Sequence, residues 1–373
     1  MKVAILTNIL APYRIKLFEE IGSLVADLTV ILMAHGHEHR HWVLPKGNFK
    51  TALLPGMTLG RSAEKEPIHI NWGVISTLRK IRPDVVVSGG FGAANIGAFI
   101  YCKLFRCRYV GWAELTLQDR AASSFLRRMV RRILIRGSHG SIASSTIAKQ
   151  AFEAYGARER SVLLSVMPID VQLFRNAAQA FRNSQRYCAL RAQYAWPRII
   201  AVGRLVDPKG YRQLFAIYEK VLARFPDATL LIAGEGRERE NYAQLIASRR
   251  LRAVHLLGHV QEKELIEYFS IADLFIFPSL FDQFGAVVSE ALAAGVPTVS
   301  SIHAAATHDL IEHGKTGFCI DPTDVESATE VAFHALSLDS QRREILTNAG
   351  YEKIKRYDYS RSARDMVCHL QSL

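Results

Sequence analysis

Residues 281–297 read FDQFGAVVSEALAAGVP and follow a short apolar run, DLFIFPS, that is typical of a buried strand. Asp282 stands in the polar part of the stretch, and Glu290 stands eight positions later inside an alanine-rich run. That run ends at Gly295 with a proline two residues beyond, which predicts a helix over about 286–294. A strand, a glycine-containing loop and a helix in this order are the repeating unit of a parallel sheet covered by helices.

The same alternation of strand-like and helix-like segments continues along the chain and predicts an α/β protein. With 373 residues, two domains are expected. Because the segment 171–197 is polar and mixed, we place the linker there and predict doubly wound, Rossmann-like domains over residues 1–183 and 184–357. The segment 358–373 reads as a helix that can pack back on the first domain. Ligands of such sheets bind beyond the carboxyl ends of strands, so two domains facing across a cleft would surround a ligand with their loops.

Positive charge is concentrated in the first half of the chain. The net charge is +12, and residues 1–183 hold 25 Lys and Arg against 12 Asp and Glu, a net charge of +13. This distribution favours an anionic partner for that half. The segment from Phe125 to Gly137, FLRRMVRRILIRG, reads as a basic amphipathic helix, which is typical of contact with an anionic membrane surface. The alternative is a core-facing helix with a solvated basic face.

Composition also bears on the cellular compartment. The five cysteines are scattered without CxxC spacing, which argues against a disulfide framework or zinc site and fits a reducing cytoplasm. No transmembrane helix or signal peptide is predicted, because the first apolar run reads as a strand. We expect a cytoplasmic protein, peripheral on the inner face of the cell membrane. The histidine run His35 to His41 is interpreted as a solvated loop, with metal binding as the alternative.

Three loops at predicted strand ends carry the chemistry of the second half. GRLVDPKGY places Gly203, Arg204 and Lys209 between a strand and a helix N-terminus, which is typical of a diphosphate site, although a solvated basic loop fits too. The loop AGEG, with Gly234 and Gly236, allows a nucleotide close to the backbone or is a plain tight turn.

The third loop is the opening stretch. A charged Glu290 on an apolar helix needs a polar partner, and a ribose diol can donate to both carboxylate oxygens. Asp282 can accept from hydroxyls of a transferred sugar. Paired carboxylates also occur in glycoside hydrolases, but Arg204 and Lys209 instead favour an anionic leaving group stabilised by cations.

Five pieces of the second half, in order over about 120 residues, resemble the retaining, metal-independent glycosyltransferases of the GT-B fold, family 4 (glycosyl transferases group 1). They read GRLVDPKG, LLIAGEG, LGHVQEKELIEYFSIADLFIFPS, FDQFGAVVSEALAAGVPTVSS and IEHGKTGFCIDPTD, and the first half is similar more loosely through LTNILAPYRIKLFEEI and VMPIDVQLF. The resemblance implies transfer of a sugar from a nucleotide-diphosphate sugar to a glycan or lipid-linked acceptor in bacterial cell-envelope polysaccharide synthesis. It implies no cofactor and no metal.

The resemblance also implies residue roles. Arg204 and Lys209 would hold the donor diphosphate, Glu290 the ribose and Asp282 the donor sugar. The donor-binding positions are Gly203, Gly234, Gly236, His259, Val260, Phe284, Gly285 and Ala286. The acceptor-binding positions, in the loop after the first strand, are Asn8, Pro12, Tyr13 and Arg14. For Arg14, a surface arginine at a helix start is the alternative to a contact with an acceptor phosphate or acidic sugar.

Three positions depart from the family pattern. Asp282 stands where the family usually has glutamate, Ala305-Ala306 stands for Gly-Gly, and Glu114 stands for a common histidine. Glu114 is a candidate acceptor-side base or hydrogen-bond partner. Two other readings stay open: a nucleotide-sugar epimerase, and a non-catalytic basic binding protein. No nucleic-acid partner is expected, because aromatic residues do not interleave with the arginines.

Overall fold

The chain forms two compact α/β units. The first comprises Met1–Pro168 with Tyr359–Leu373, and the second comprises Ile169–Asp358. Each unit is built on its own parallel sheet, so the predicted α/β class with two Rossmann-like domains is confirmed. The His35 to His41 run lies outside the described residues. The computed structural model describes residues 1–34, 47–59, 68–117 and 124–373.

The first unit contains a seven-stranded parallel sheet and a separate antiparallel strand pair. Its strands are β1 (Lys2–Thr7), β2 (Asp27–Leu32), β3 (Lys50–Leu53), β4 (Gly56–Leu59), β5 (Ile68–Asn71), β6 (Val85–Gly89), β7 (Arg108–Ala113), β8 (Gly140–Ala143) and β9 (Val162–Leu164). The sheet has the order β3-β2-β1-β6-β7-β8-β9, and β4 pairs with β5. The strand order reverses at β1, so β1 and β6 are the neighbours at a topological switch point, where ligands of such sheets bind.

The helices of the first unit are α1 (Pro12–Leu24), α2 (Val74–Ile81), α3 (Ala93–Leu104), α4 (Phe125–Arg136) and α5 (Thr146–Ala154). Helix α1 buries Ile15, Phe18 and Ile21 at helical spacing against the sheet. The apolar strands β1, β2 and β6 supply the facing side chains of this core.

The second unit has a six-stranded, all-parallel sheet in the order β12-β11-β10-β13-β14-β15. Its strands are β10 (Arg198–Val202), β11 (Thr229–Ala233), β12 (Val254–Gly258), β13 (Leu274–Phe277), β14 (Thr298–Ser301) and β15 (Phe318–Ile320). After their first residues, Arg198 and Thr229, the central strands β10 and β11 are apolar, and β13 is apolar throughout, as expected of strands covered on both faces.

The helices of the second unit are α6 (Val171–Arg182), α7 (Gln185–Ala192), α8 (Tyr211–Arg224), α9 (Arg239–Ser248), α10 (Glu262–Ile271), α11 (Ala286–Ala294), α12 (Ala305–Leu310), α13 (Val325–Leu336) and α14 (Ser340–Ile354). Helix α8 buries Leu214, Phe215, Tyr218 and Val221, the i, i+1, i+4, i+7 pattern of a helix on a sheet. Helix α11 has the bounds expected from the sequence.

The division between the units falls between Pro168 and Ile169, fifteen residues before the boundary predicted at 183–184. The reason lies in α6, which the sequence places in a linker. Its Arg182 guanidinium donates to the carbonyl oxygens of Ala294 at 2.8 Å and Ser270 at 3.4 Å, so α6 is fixed to the second unit.

The chain returns to the first unit at its end, through helix α15 (Tyr359–Ser372). Met366, Val367 and Leu370 of α15 are buried in the same apolar cluster as α1. The Tyr359 hydroxyl donates to the carbonyl oxygen of Tyr13 at 2.8 Å, which ties α15 to the start of α1. Among the residues that the structure covers, no helix is both long and apolar enough to span a bilayer.

Candidate donor site in the second unit

The predicted donor residues gather at one edge of the second sheet. They follow the carboxyl ends of four adjacent strands, β12, β11, β10 and β13. Backbone hydrogen bonds join the loops of three of these strands: Gly203 N donates to Ala233 O at 3.0 Å, and Gly234 N donates to Gly258 O at 2.7 Å. The loops therefore form one connected rim. The members of this rim from the sequence prediction are Gly203, Arg204, Gly234, Gly236, His259 and Val260.

At two positions in these strand-end loops only glycine fits, because a side chain would clash and the φ angle is positive. Gly234 has φ +152°, and a Cβ there would lie 1.9 Å from the carbonyl oxygen of Gly203. Gly285 has φ +94°, and its Cβ would lie 2.8 Å from a ring carbon of Phe277. Glycine is the residue that meets both conditions without strain, so the loops after β11 and β13 are shaped by them.

Lys209 and Asp282 form an ion pair at this edge. Lys209 ends the short 3₁₀ helix Asp207–Lys209, and Asp282 stands in the loop between β13 and α11. Their side chains are only 15% and 16% exposed. The ammonium group also lies 5.6 Å from the ring centroid of Phe277, a cation–π contact. Phe277 is a site residue that the sequence did not single out, because it reads as one more apolar residue of a buried strand.

Asp282 also shapes its own loop. Its Oδ1 accepts a hydrogen bond from the backbone N–H of Phe284 at 3.1 Å, an Asx turn. The backbone of this loop is held from the other side by α12, since Ala306 N donates to Phe284 O at 2.8 Å. Ala305 and Ala306, the alanines that replace the family's glycines, are buried there.

Arg204 has a different environment from Lys209. Its side chain is exposed and makes no hydrogen bond or ion pair with another described residue. A free guanidinium beside the Lys209 loop can bind an anion with its planar fork of donors. Lys209 is thus paired with Asp282, whereas the Arg204 side chain has no ion-pair partner among the described residues.

Glu290 lies in the middle of α11 and is partly exposed. Burial, with a smaller contribution from the nearby carboxylate of Glu262, raises the pKa of Glu290 to about 7. The carboxylate of Glu290 makes no hydrogen bond or ion pair with the rest of the described chain. A ligand that donates hydrogen bonds to this carboxylate would stabilise its charged form. Glu262, at the start of α10, was not identified from the sequence.

The N-terminus of α11 adds further donors to the site. Within the described part of the chain, no side chain caps this helix, which begins directly after Gly285. The N–H groups of Ala286 and Val287, at the start of the helix, can therefore donate to an oxygen of a bound ligand.

The predicted acceptor residues lie in the first unit, after β1 and β7. Arg14 and Glu114 form an ion pair at 3.2 Å, and the Arg14 guanidinium lies 4.4 Å from the ring centroid of Trp112. The pairing of Arg14 with Glu114 was not predicted from the sequence, and neither was the contact with Trp112. Asn8 follows β1, and Pro12 and Tyr13 begin α1. A small pocket beside this pair is lined by Tyr13, Arg14, Leu17, Trp112, Ser144, Ser165, Met167 and Pro168.

Comparison with known proteins finds a family domain within the second unit. Residues 193–353 match the family model described as glycosyl transferases group 1. Sulfoquinovosyl transferase SQD2 of Arabidopsis thaliana is 26% identical over 297 residues, 77% of this chain and 56% of that protein. Glycogen synthase of Mycobacterium tuberculosis is 29% identical over 206 residues, 51% of this chain and 49% of that protein. The chain thus spans about half the length of these curated relatives.

Solved structures extend the likeness to the whole chain. HepE of Anabaena in complex with UDP and glucose has a TM-score of 0.76 at 19% identity, with both chains covered at 100%. Sucrose-phosphate synthase of Thermosynechococcus elongatus has a TM-score of 0.77 at 16% identity, with 100% and 99% covered. At these identities the likeness shows the fold, which is that of the GT-B glycosyltransferases.

The fold is therefore that of the GT-B proteins, as the sequence predicts. More particularly, residues 193–353 carry the domain of the glycosyl transferases group 1.

Proposed function

We propose that the protein is a retaining, metal-independent glycosyltransferase that moves a sugar from a nucleotide-diphosphate sugar to a glycan or lipid-linked acceptor. The observation that supports this most strongly is the arrangement at the edge of the second sheet. The loops that follow neighbouring strands carry Lys209, an exposed Arg204 and the start of α11, and Glu290 lies further along that helix. These groups match the diphosphate, the sugar and the ribose of such a donor.

Arg204 and Lys209 would stabilise the diphosphate as it leaves. The bond between the sugar carbon C1 and the phosphate oxygen breaks, and its electron pair departs with the nucleoside diphosphate. The acceptor hydroxyl oxygen forms the new bond to C1 and gives its proton to a base. Charge grows on the phosphate in this step, and fixed cations that meet developing charge are typically the largest single catalytic contribution. The leaving group then needs no proton from a carboxylic acid.

Glu290 would accept hydrogen bonds from both ribose hydroxyls. Burial and the nearby Glu262 raise the pKa of Glu290, and a diol would supply two donors to its charged form. Gly285 and the N–H groups that follow it would bind the transferred sugar. In the first unit, Arg14 and Glu114 would bind the acceptor, with Glu114 as the partner or base for the attacking hydroxyl.

Thermal-shift measurements with nucleoside diphosphates and their sugars test the donor assignment. A ligand at 100 times its Kd stabilises the protein by about 2.7 kcal/mol, so the correct nucleotide gives a clear shift in Tm. Absence of a shift with every diphosphate would contradict the proposal. Nucleotide release without acceptor would favour an epimerase.

Two further measurements test retention and metal independence. NMR of the first product formed shows whether the anomeric configuration at C1 equals that of the donor. Turnover in EDTA equal to turnover with Mg²⁺ supports a cation role for Arg204 and Lys209. An inverted product, or loss of turnover in EDTA that Mg²⁺ restores, would contradict the corresponding part of the proposal.

We also propose that the first unit contacts the cytoplasmic side of an anionic membrane. This contact would place a lipid-linked acceptor of cell-envelope polysaccharide synthesis within reach of the enzyme. On α4 the apolar side chains Phe125, Leu126 and Ile133 are 74%, 63% and 52% exposed beside exposed arginines. Helices α2, α3 and α4 contain no acidic residue. Positive charge with exposed apolar side chains is the pattern of an interfacial helix.

Liposome flotation tests the membrane contact. Each arginine near an anionic surface contributes about 1 kcal/mol, so removing two should weaken binding by roughly tenfold or more. The variant Arg127→Gln/Arg128→Gln is the test, and Arg361→Gln/Arg364→Gln, exposed arginines of α15, is the control of equal charge. Equal binding to neutral and anionic vesicles, or equal loss in both variants, would contradict the contact.

A further inference from the structure

Asp282 occupies an unexpected place in the proposed donor site. Its carboxylate pairs with Lys209, the cation assigned to the diphosphate. We propose that Asp282 is a positioning residue that acts as the built-in counter-ion of Lys209 and competes with the donor diphosphate for it. This inference rests on the proposed function, because it concerns the same diphosphate site.

The pair is held by the backbone of two loops and does not depend on side-chain flexibility alone. Leu280 N donates to Pro208 O at 2.8 Å, and Ser279 Oγ donates to the same oxygen at 3.1 Å. Pro208 and Ser279 are close neighbours of Lys209 and Asp282 in the chain, so the two loops are joined next to the ion pair. Because both charged side chains are about five-sixths buried, their attraction is screened less than that of a surface pair.

The two carboxylate oxygens of Asp282 have separate tasks. Oδ1 accepts from Phe284 N–H and closes the Asx turn, and Oδ2 accepts from the Lys209 ammonium group. An asparagine can keep the turn and lacks the charge. A glutamate keeps the charge, but its extra methylene does not fit the Asx turn. The two tasks can therefore be separated by two conservative variants.

Comparison with Arg204 indicates how the Lys209–Asp282 ion pair would affect anion binding. Arg204 can bind an anion without breaking an ion pair to another described residue, whereas Lys209 must exchange Asp282 for phosphate. A diphosphate that spans both cations has the charge to make this exchange. A single inorganic phosphate gains less from it. We infer that Asp282 weakens diphosphate binding overall and helps the site to reject small anions.

The experiment measures binding of inorganic pyrophosphate, and separately of inorganic phosphate, by calorimetry. Pyrophosphate is chosen because its binding does not depend on the base or the sugar of the donor. Asp282→Asn is expected to bind pyrophosphate about tenfold tighter, as for loss of a partly buried competing ion pair. Its preference for pyrophosphate over phosphate should fall. Asp282→Glu, which keeps the charge, should show no such tightening.

The double variant Lys209→Ala/Asp282→Asn separates an effect of Asp282 on Lys209 from a purely structural effect of Asp282. If Asp282 acts through Lys209, adding Asp282→Asn to Lys209→Ala produces no tightening. Unchanged or weaker binding in Asp282→Asn, or equal tightening with and without Lys209, overturns the inference. The two failures can be told apart. If Arg204→Ala and Lys209→Ala bind pyrophosphate as the unaltered protein does, the diphosphate site itself is wrong, and this inference with it.

Discussion

Removing the charge of Glu290 should stabilise the second unit at high pH and leave its stability unchanged at low pH. Burial and the nearby Glu262 raise the pKa of this carboxyl from 4.5 to about 7 in the folded protein. The folded state therefore binds the proton more tightly than the unfolded state does. The stability that this protonation contributes is fully present below pH 4.5, falls as pH rises and is lost above about pH 7.

The size of the effect follows from the shift. One pKa unit corresponds to about 1.4 kcal/mol, so the shift sets an upper limit of about 3 kcal/mol on the cost of the charged form above pH 7. Because Glu290 is partly exposed, we expect Glu290→Gln to recover between about 1.5 and 3 kcal/mol at pH 8. For a domain of this size that is roughly 3 to 10 °C in Tm.

Urea unfolding of Glu290→Gln and the unaltered protein at pH 4.5 and pH 8 measures this difference. Glu262→Gln should recover a smaller part, since it removes the second cause of the raised pKa. Glu264→Gln, an exposed carboxyl of α10, is the matched control and should change nothing. A Glu290→Gln variant no more stable than the unaltered protein at pH 8, or equally stabilised at both pH values, would refute the reasoning.

Arg204→Ala and Lys209→Ala should each lower turnover by about 10²–10³ while Tm stays within a few degrees, and near-normal turnover in both would contradict the diphosphate assignment. Gly234→Ala should cost roughly 2–3 kcal/mol in urea unfolding, because its Cβ would meet a backbone carbonyl oxygen at 1.9 Å; a cost below 0.5 kcal/mol would count against this constraint. Asp282→Glu should change the ranking of donor sugars by kcat/KM, since it lengthens the acid and opens its turn, and an unchanged ranking would contradict a role in donor choice. Arg14→Ala should raise KM for the acceptor more than KM for the donor, and equal changes would contradict its assignment to acceptor binding.

Much of the second unit follows from its sequence. Helix α11 has the bounds that the alanine-rich run and its terminal glycine predict, because these signals are local in the chain. The need of Glu290 for a polar partner is also readable there, since an acid within an apolar helix must face protein or a ligand. The order of strand-end loops follows from the alternation of strands and helices, and with it the expectation that Arg204 and Lys209 stand at the edge of the sheet.

The partners of the charged groups were decided only by the tertiary structure. Lys209 and Asp282 are 73 positions apart, and Arg14 and Glu114 are 100 apart. No local pattern encodes such pairs, because they depend on which strands are neighbours and on how far each loop extends beyond its strand. The assignment of α6 to the second unit has the same cause: its arginine reaches carbonyl oxygens that only the folded sheet brings together. The sequence determined which chemical groups this edge carries, and the fold determined which of them meet.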